Sequence, residues 1–114
     1  MCMKSEVLMK PRFLRSENEA TEACIHHYET VMPYSPVSAH LKDRIRQNEE
    51  TISTMEEWLE TVPDAFLRDA IKAYQRCGSW SAACLKMYGY SSTQTLRKSV
   101  ERFLERSDFT ERFG

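Results

Sequence analysis

The chain has 114 residues, with 16 Lys and Arg against 17 Asp and Glu and a formal net charge of −1. This length allows one small core with an extended arm, because burial is inefficient below roughly 60 residues. The apolar runs are too short for a membrane span or a secretory signal, so we expect no membrane partner. With three Gly and four Pro, the composition favours helix over sheet and predicts an all-α fold.

The cysteines and histidines show none of the paired spacings that are typical of a zinc site. They are Cys2, Cys24, Cys77, Cys84, His26, His27 and His40. We therefore expect no metal and no cofactor, and reduced thiols in a cytoplasmic protein. No Ser or Cys accompanies the histidines in a way that suggests nucleophilic catalysis, so we expect no enzyme, no catalytic residue and no small-molecule substrate.

The nearly balanced charge hides a segregation along the chain. Residues 1–65 carry seven Lys and Arg against twelve Asp and Glu, residues 66–106 carry eight against three, and the rest carry one against two. A basic C-terminal part behind an acidic N-terminal part is the pattern expected when only the C-terminal part contacts phosphate.

Residues 1–35 are predicted to form an N-terminal arm with one helix. Residues 1–16 show no sustained apolar period around Pro11, and we expect a loosely ordered start with at most one helical turn. From Glu17 to Met32, acidic residues in the first turn and apolar residues at helical spacing predict a helix. Pro33 and Pro36 end this helix.

Residues 36–62 predict a long amphipathic helix with a coiled-coil-like heptad repeat. Apolar side chains alternate at spacings of four and three over about three heptads, with one Asn in the same register. These heptad positions are Leu41, Ile45, Asn48, Ile52, Met55 and Leu59, followed by Val62. The helix either folds back on the chain's own helices or pairs with a second copy through these positions. A polar Asn48 can specify partner number, which favours a homodimer.

Residues 63–107 predict three short helices joined by tight turns, and residues 108–114 a tail. The helices cover residues 65–77, 80 to about 88, and 93 to about 106, with the N-caps Asp64, Ser79 and Ser92. Gly78 and Gly89 end the first two. Because the turn between the last two is so short, these helices are expected to cross steeply and to project the third outwards as a recognition helix.

The third of these helices has one apolar and one polar face. The residues expected to face the core are Leu96, Val100, Phe103 and Leu104. The opposite face carries the basic, amide and hydroxyl groups that contact phosphates and base edges. It presents Thr93, Gln94, Arg97, Lys98, Glu101, Arg102 and Arg106. The competing interpretation is a solvated surface with local ion pairs to Glu101 and Glu105.

The residues around the last turn resemble a known DNA-binding motif. The run from Tyr88 to Arg97, preceded by Gly78, Ser79, Trp80, Ser81, Ala82 and Ala83, is similar to the homeodomain-like helix-turn-helix of insertion-sequence transposases and phage transcription regulators. The resemblance implies that Gly89 and Tyr90 form the turn, that Ser92 caps the recognition helix and that Leu96 anchors it. It also implies that the DNA-facing residues are Thr93, Gln94, Arg97 and Lys98.

Two positions depart from that family. Ser91 stands where the turn has a proline, and Ser99 stands near the place where a tryptophan often packs. The chain also has no stretch long enough for a catalytic nuclease, so we expect it neither to cut nor to join DNA. An acidic coil before the domain is closer to the arrangement of the phage regulators.

The sequence therefore predicts a long helix followed by a helix-turn-helix domain that binds double-stranded DNA sequence-specifically. The expected DNA-binding residues are Ser92, Thr93, Gln94, Arg97, Lys98 and Arg102. The expected role is a small transcription regulator of phage or mobile-element origin. The alternative is a helical adaptor or inhibitor that binds another protein and no DNA.

Overall fold

A computed structural model describes residues 4–87 and 92–113, and these residues form helices and no strand. The helices are α1 (Lys4–Val7), α2 (Lys10–Val31), α3 (Val37–Glu60), α4 (Ala65–Cys77), α5 (Trp80–Lys86), α6 (Thr93–Arg106) and α7 (Phe109–Phe113). The all-α expectation is confirmed for this part of the chain, and the long helix α3 is followed by the three predicted shorter helices α4, α5 and α6 and by a fourth, α7. Of the predicted turn, Tyr88, Gly89, Tyr90 and Ser91 lie outside the described residues.

Helix α2 begins earlier than the sequence predicts. Residues 10–16 are helical, so the expectation of a loosely ordered start is wrong for them. Pro11 lies in the first turn of α2 and is buried. A proline is well suited to that position, because the N–H that it lacks has no intrahelical acceptor there and its φ is already helical.

The chain divides into two compact units. The first, which we call the hairpin, is Pro11–Glu56 and holds most of α2 and α3. The second, which we call the C-terminal unit, consists of residues 57–114 together with residues 1–10. The hairpin carries five Lys and Arg against eight Asp and Glu, and the C-terminal unit eleven against nine.

Polar pairs show that α2 and α3 run antiparallel in the hairpin. Arg15 pairs with Glu56 at 2.5 Å, and Lys42 pairs with Glu29 at 2.7 Å. Between these two pairs, the Asn48 amide donates to Asn18 Oδ1 at 2.9 Å. Positions later in α2 therefore meet positions earlier in α3, as two helices joined by a short turn require.

Asn48 is satisfied within the chain. It is 6% exposed, and its amide donates to both Asn18 and Glu17 of α2. Ile52 and Met55 are also buried, whereas Leu41 and Ile45 are half-buried. Folding of α3 back on α2 thus describes the hairpin, and pairing of the heptad positions with a second copy stays a prediction.

The helix ends in the C-terminal unit follow the capping residues. The Asp64 side chain accepts from the N–H groups of Phe66 and Leu67 at 2.9 and 3.2 Å. Ser79 caps α5 in the same way. Gly78 ends α4 with φ 87°, the left-handed conformation that glycine adopts without strain. These predicted caps are confirmed, and α5 ends at Lys86, two residues before the predicted end.

The core of the C-terminal unit lies where α5 and α6 pack on α4. Its fully buried members from these helices are Ala70, Ile71, Ala83, Leu96, Val100 and Leu104, each 0% exposed. Tyr74 of α4 stacks on Trp80 of α5, with ring centroids 4.0 Å apart. Helix α1 packs against α6, and Leu8 just after it is also 0% exposed.

The tail predicted for residues 108–114 is in fact ordered through α7. Phe109 is 1% exposed, and its ring centroid lies 4.9 Å from that of Trp58 near the end of α3. Phe113 adds an edge contact to the same indole at 6.0 Å, and the indole N–H donates to Asp108 at 3.0 Å. An aromatic cluster around Trp58 therefore packs α7 against the end of α3 within the C-terminal unit.

No helix within residues 4–87 and 92–113 is long and apolar enough to cross a membrane.

Candidate nucleic-acid interface

Helix α6 has a buried side and an exposed side. Leu96, Val100 and Leu104 are each 0% exposed, which fixes the rotation of the helix about its axis. Phe103, which the sequence places in the core, is half-buried and lies 6.4 Å from Trp58 between ring centroids. Because packing on one side holds the helix, the side chains on the other side have defined directions.

Three of the predicted DNA-binding residues lie together on the exposed side. Gln94, Lys98 and Arg102 follow one another at spacings of four and are all exposed. Residues four apart lie one above the other on the same helix face. They form a continuous polar row along α6, which we call the Gln94–Arg102 row.

The row is electropositive. In the part of the chain that the structure describes, neither Lys98 nor Arg102 has an ion-pair partner. Further along the helix, Arg106 is exposed and its Nε donates to the carbonyl of Arg102 at 3.3 Å. Helix α6 as a whole carries four basic and two acidic residues. Its exposed side can therefore offer positive charge to an anionic partner.

Arg97 differs from its neighbours. It lies at the edge of the exposed side, where its Nε donates to Glu101 Oε1 at 2.9 Å. The Glu101 side chain is only 15% exposed, against 48% for Arg97. A half-buried carboxylate needs a partner, because burial removes the water that would solvate its charge. Arg97 therefore neutralises Glu101 and is less available to an external partner than Lys98 or Arg102.

The charges around Arg97 also act on Tyr74. Burial raises the pKa of the Tyr74 hydroxyl, and the negative charges of Glu6 and Glu101 raise it further. Arg97 has the opposite effect and lowers that pKa. Arg97 thus takes part in a small electrostatic network with α1 and α4, which the sequence did not reveal.

The remaining predicted residues lie at the start of α6. The Ser92 hydroxyl oxygen accepts from the Thr95 N–H at 3.0 Å and lies 2.7 Å from the Thr95 hydroxyl. Ser92 is therefore the N-cap, as predicted, and Thr93 beside it is half-buried. Thr95 is exposed, and sequence reasoning missed it. The signal was its helical spacing, since it lies three residues before Lys98 on the same side.

The described residues contain no group of three or more His, Cys, Asp and Glu side chains that could hold a metal ion. The hairpin has an open groove between α2 and α3, and Ile52 is the apolar residue of its lining. Its polar lining is Arg15, Asn18, Glu19, Glu22, Glu49 and Ser53. This groove is acidic, which suits a basic partner better than a nucleic acid.

Comparison of the chain with protein-family models, curated proteins and solved structures finds no match. The likeness to the transposase and phage-regulator motif therefore depends on the residues of this chain alone.

Proposed function

We propose that the protein binds double-stranded DNA through the exposed side of α6, as a small non-enzymatic transcription regulator of phage or mobile-element origin. The observation that carries the proposal is the Gln94–Arg102 row. Its two cations, Lys98 and Arg102, lie on one exposed face and have no ion-pair partner in the described chain. Lys and Arg side chains supply most of the affinity for DNA, because they release condensed counterions from the phosphates.

The dimensions of the row suit the major groove. Gln94 and Arg102 are eight positions apart, which corresponds to about 12 Å of helix at 1.5 Å per residue. The major groove of B-form DNA is about 12 Å wide, which admits an α-helix of about 10–12 Å diameter, and the row then runs lengthwise in the groove. A single helix carrying the row can thus contact base edges in the groove and the phosphates that border it.

The side chains divide by chemistry into base and phosphate contacts. The Gln94 amide can donate to and accept from adenine at once, which no simple cation can do. Lys98 and Arg102 supply charge, and Arg102 can also bind guanine in a bidentate manner. The exposed Thr95 lies beside them. Ser92 positions the start of the helix, and Arg97 acts mainly through Glu101.

The core under α6 supports this assignment. Leu96, Val100 and Leu104 are fully buried, and α1, α4 and α5 pack against the helix. A contact surface on a rigid helix loses little conformational freedom on binding, so more of the interaction energy appears as affinity.

The proposal is tested by fluorescence anisotropy of the full-length protein with a mixed-sequence duplex. The test variant is Lys98→Ala, Arg102→Ala. A matched control is Lys42→Ala, Arg46→Ala, which removes the same charge from the hairpin at exposed ion pairs. We expect nonspecific dissociation constants of about 1–100 μM for the wild type, clear weakening in the test variant, and little change in the control.

Two results contradict the proposal. One is the absence of binding at low salt by a protein whose circular dichroism shows that it is helical. The other is equal weakening in the two variants, because this shows that net charge alone and not the face of α6 governs binding. If the expected result is obtained, selection from a randomised duplex pool identifies the preferred DNA sequence. The variant Gln94→Ala should then show a weaker sequence preference.

A second candidate function is a protein-binding adaptor, and the acidic groove of the hairpin favours it. The groove offers Glu19, Glu22 and Glu49 to a basic amphipathic helix. Under this alternative Glu19→Gln, Glu22→Gln abolishes binding of the protein partner, while Lys98→Ala, Arg102→Ala leaves that binding intact. A pull-down with the two variants side by side separates the two functions.

A further inference from the structure

The turn between α2 and α3 carries a cluster of exposed apolar side chains. Val31 is 61% exposed, Met32 54% and Tyr34 98%. The other exposed large apolar side chains in residues 4–87 and 92–113 are Phe13 at 65% and Leu85 at 89%, which lie far from the turn and from each other along the chain. Single exposed apolar residues are common on protein surfaces, whereas a contiguous group is typical of a contact site.

The turn is held in one conformation. The Met32 N–H donates to the Tyr28 carbonyl at 2.7 Å, and the Ser35 N–H donates to the Met32 carbonyl at 3.0 Å. The Val37 N–H donates to the Ser35 hydroxyl at 3.2 Å at the start of α3. Pro33 and Pro36 restrict φ on either side. Because the backbone is already ordered, the exposed side chains can be covered at a small entropic cost.

The charges around the turn indicate what can cover it. Between residues 26 and 42 the charged side chains are Glu29 and Lys42, which pair with each other at 2.7 Å. The rest of the hairpin has four Lys and Arg against seven Asp and Glu. The neutral turns of two copies can therefore meet without charge repulsion. The rest of the hairpin is acidic, and these acidic surfaces of two copies repel each other. A basic partner is expected to prefer that acidic remainder.

The helix positions next to the turn offer further apolar surface. Leu41 and Ile45, in the first turns of α3, are half-buried, whereas Ile52 and Met55, further from the turn, are 7% and 1% exposed. The heptad repeat is thus covered least where it approaches the exposed cluster. A second copy placed at the turn can complete its burial.

We propose that two copies of the chain associate through the turn between α2 and α3, with Val31, Met32 and Tyr34 of each copy in one symmetric contact. The same patch then serves both partners, as in the isologous interfaces of two-fold dimers. This association does not depend on DNA binding. If both occur, the dimer presents two copies of α6, which suits a site with two half-sites.

The test is sedimentation equilibrium of the full chain, with Met32→Ser, Tyr34→Ser compared to the wild type. We expect the wild type to dimerise in the micromolar range and the variant to dimerise at least ~10-fold more weakly, because each dimer loses four apolar side chains. Phe13→Ser is the matched control, since Phe13 is 65% exposed on the same hairpin. It should dimerise like the wild type, and all three proteins should have equal helix content.

A wild type that stays monomeric at about 100 μM overturns the proposal, and so does a dimer that Met32→Ser, Tyr34→Ser leaves unchanged. Crosslinking gives an independent check. In a Cys24→Ser background, Tyr34→Cys should form disulfide-linked dimers under mild oxidation, whereas Phe13→Cys should not. Equal crosslinking of the two also overturns the proposal. Duplex binding is also measured for Met32→Ser, Tyr34→Ser. This measurement tests DNA binding separately from dimerisation, so that failure of one proposal is distinguished from failure of the other.

Discussion

The hairpin and the C-terminal unit are stabilised by different interactions. The hairpin has few buried apolar side chains, among them Ile25 and Ile52, together with exposed ion pairs and one buried polar contact, between Asn48 and Asn18. The C-terminal unit has fully buried apolar side chains from α4, α5 and α6 and an aromatic cluster around Trp58. Exposed ion pairs contribute about 0–1 kcal/mol each, whereas truncating a buried large side chain costs about 2–5 kcal/mol. We therefore expect the C-terminal unit to be the more rigid of the two.

The largest expected effect is in the C-terminal unit. Phe109→Ala removes a side chain that is 1% exposed and lies against Trp58. The unfolding free energy should fall by about 3–5 kcal/mol, because the substitution leaves a cavity in the aromatic cluster. Urea denaturation measures this change. Phe13→Ala in the hairpin is the control. Because this side chain is exposed, the substitution should change the unfolding free energy by less than about 0.5 kcal/mol. Similar losses in the two variants mean that α7 does not belong to the core.

A smaller effect is expected for the buried amide of the hairpin. Asn48→Ala leaves Asn18 without its donor. It also removes one of the two donors to Glu17, which keeps its hydrogen bond from Arg44. The cost should be about 1–3 kcal/mol, because a buried polar group then lacks a partner. The urea midpoint measures this loss of stability. The control is Gln47→Ala, which truncates an exposed amide side chain on the same helix. If Asn48 instead specifies a dimer through the heptad positions, the loss will depend on protein concentration.

Arg97 should affect stability more than DNA affinity. Arg97→Ala is expected to lower the unfolding free energy by about 0.5–1 kcal/mol, since Glu101 is then left half-buried and unpaired. In a double-mutant cycle with Glu101→Gln, the two effects should not add. At fixed salt, Arg97→Ala should weaken DNA binding less than Lys98→Ala. A loss of about 1–3 kcal/mol in binding would instead identify Arg97 as a bidentate base contact.

The smallest expected effect is the acid dependence of the hairpin. Hydrogen bonds from Arg44 and Asn48, together with the charge of Arg44, lower the pKa of Glu17. Since the folded pKa is below the unfolded one, the stabilisation is fully present above the unfolded pKa and is lost as the pH falls through the folded pKa. Urea midpoints measured from neutral to acidic pH should therefore fall less for Glu17→Gln than for the wild type. Identical pH profiles contradict this assignment.

The sequence predicted those features that depend on neighbouring residues. Asp64, Ser79 and Ser92 are N-caps, because the cap is a contact between residues two or three apart. The rotation of α6 also followed from the spacing of Leu96 and Val100. The heptad spacing correctly placed Asn48 on the inner side of α3, but it could not choose between a partner in α2 and one in a second copy.

The features that the sequence missed depend on distant contacts or on very short helices. Helices α1 and α7 have four and five residues, which is too few to show an apolar period. Residues 10–16 show no sustained apolar period around Pro11, although this proline lies in the first turn of α2. A pair between Arg97 and Glu101 is foreseeable from their spacing of four, but the burial of Glu101 comes from packing that no local pattern shows.

The most direct test of the central claim is the salt dependence of duplex binding by the wild type and by Lys98→Ala, Arg102→Ala. If both side chains contact phosphates through the exposed side of α6, the slope of log Kobs against log salt should be shallower in the variant by about 2. A slope that the variant leaves unchanged, in a protein that still folds, contradicts the placement of DNA on this face.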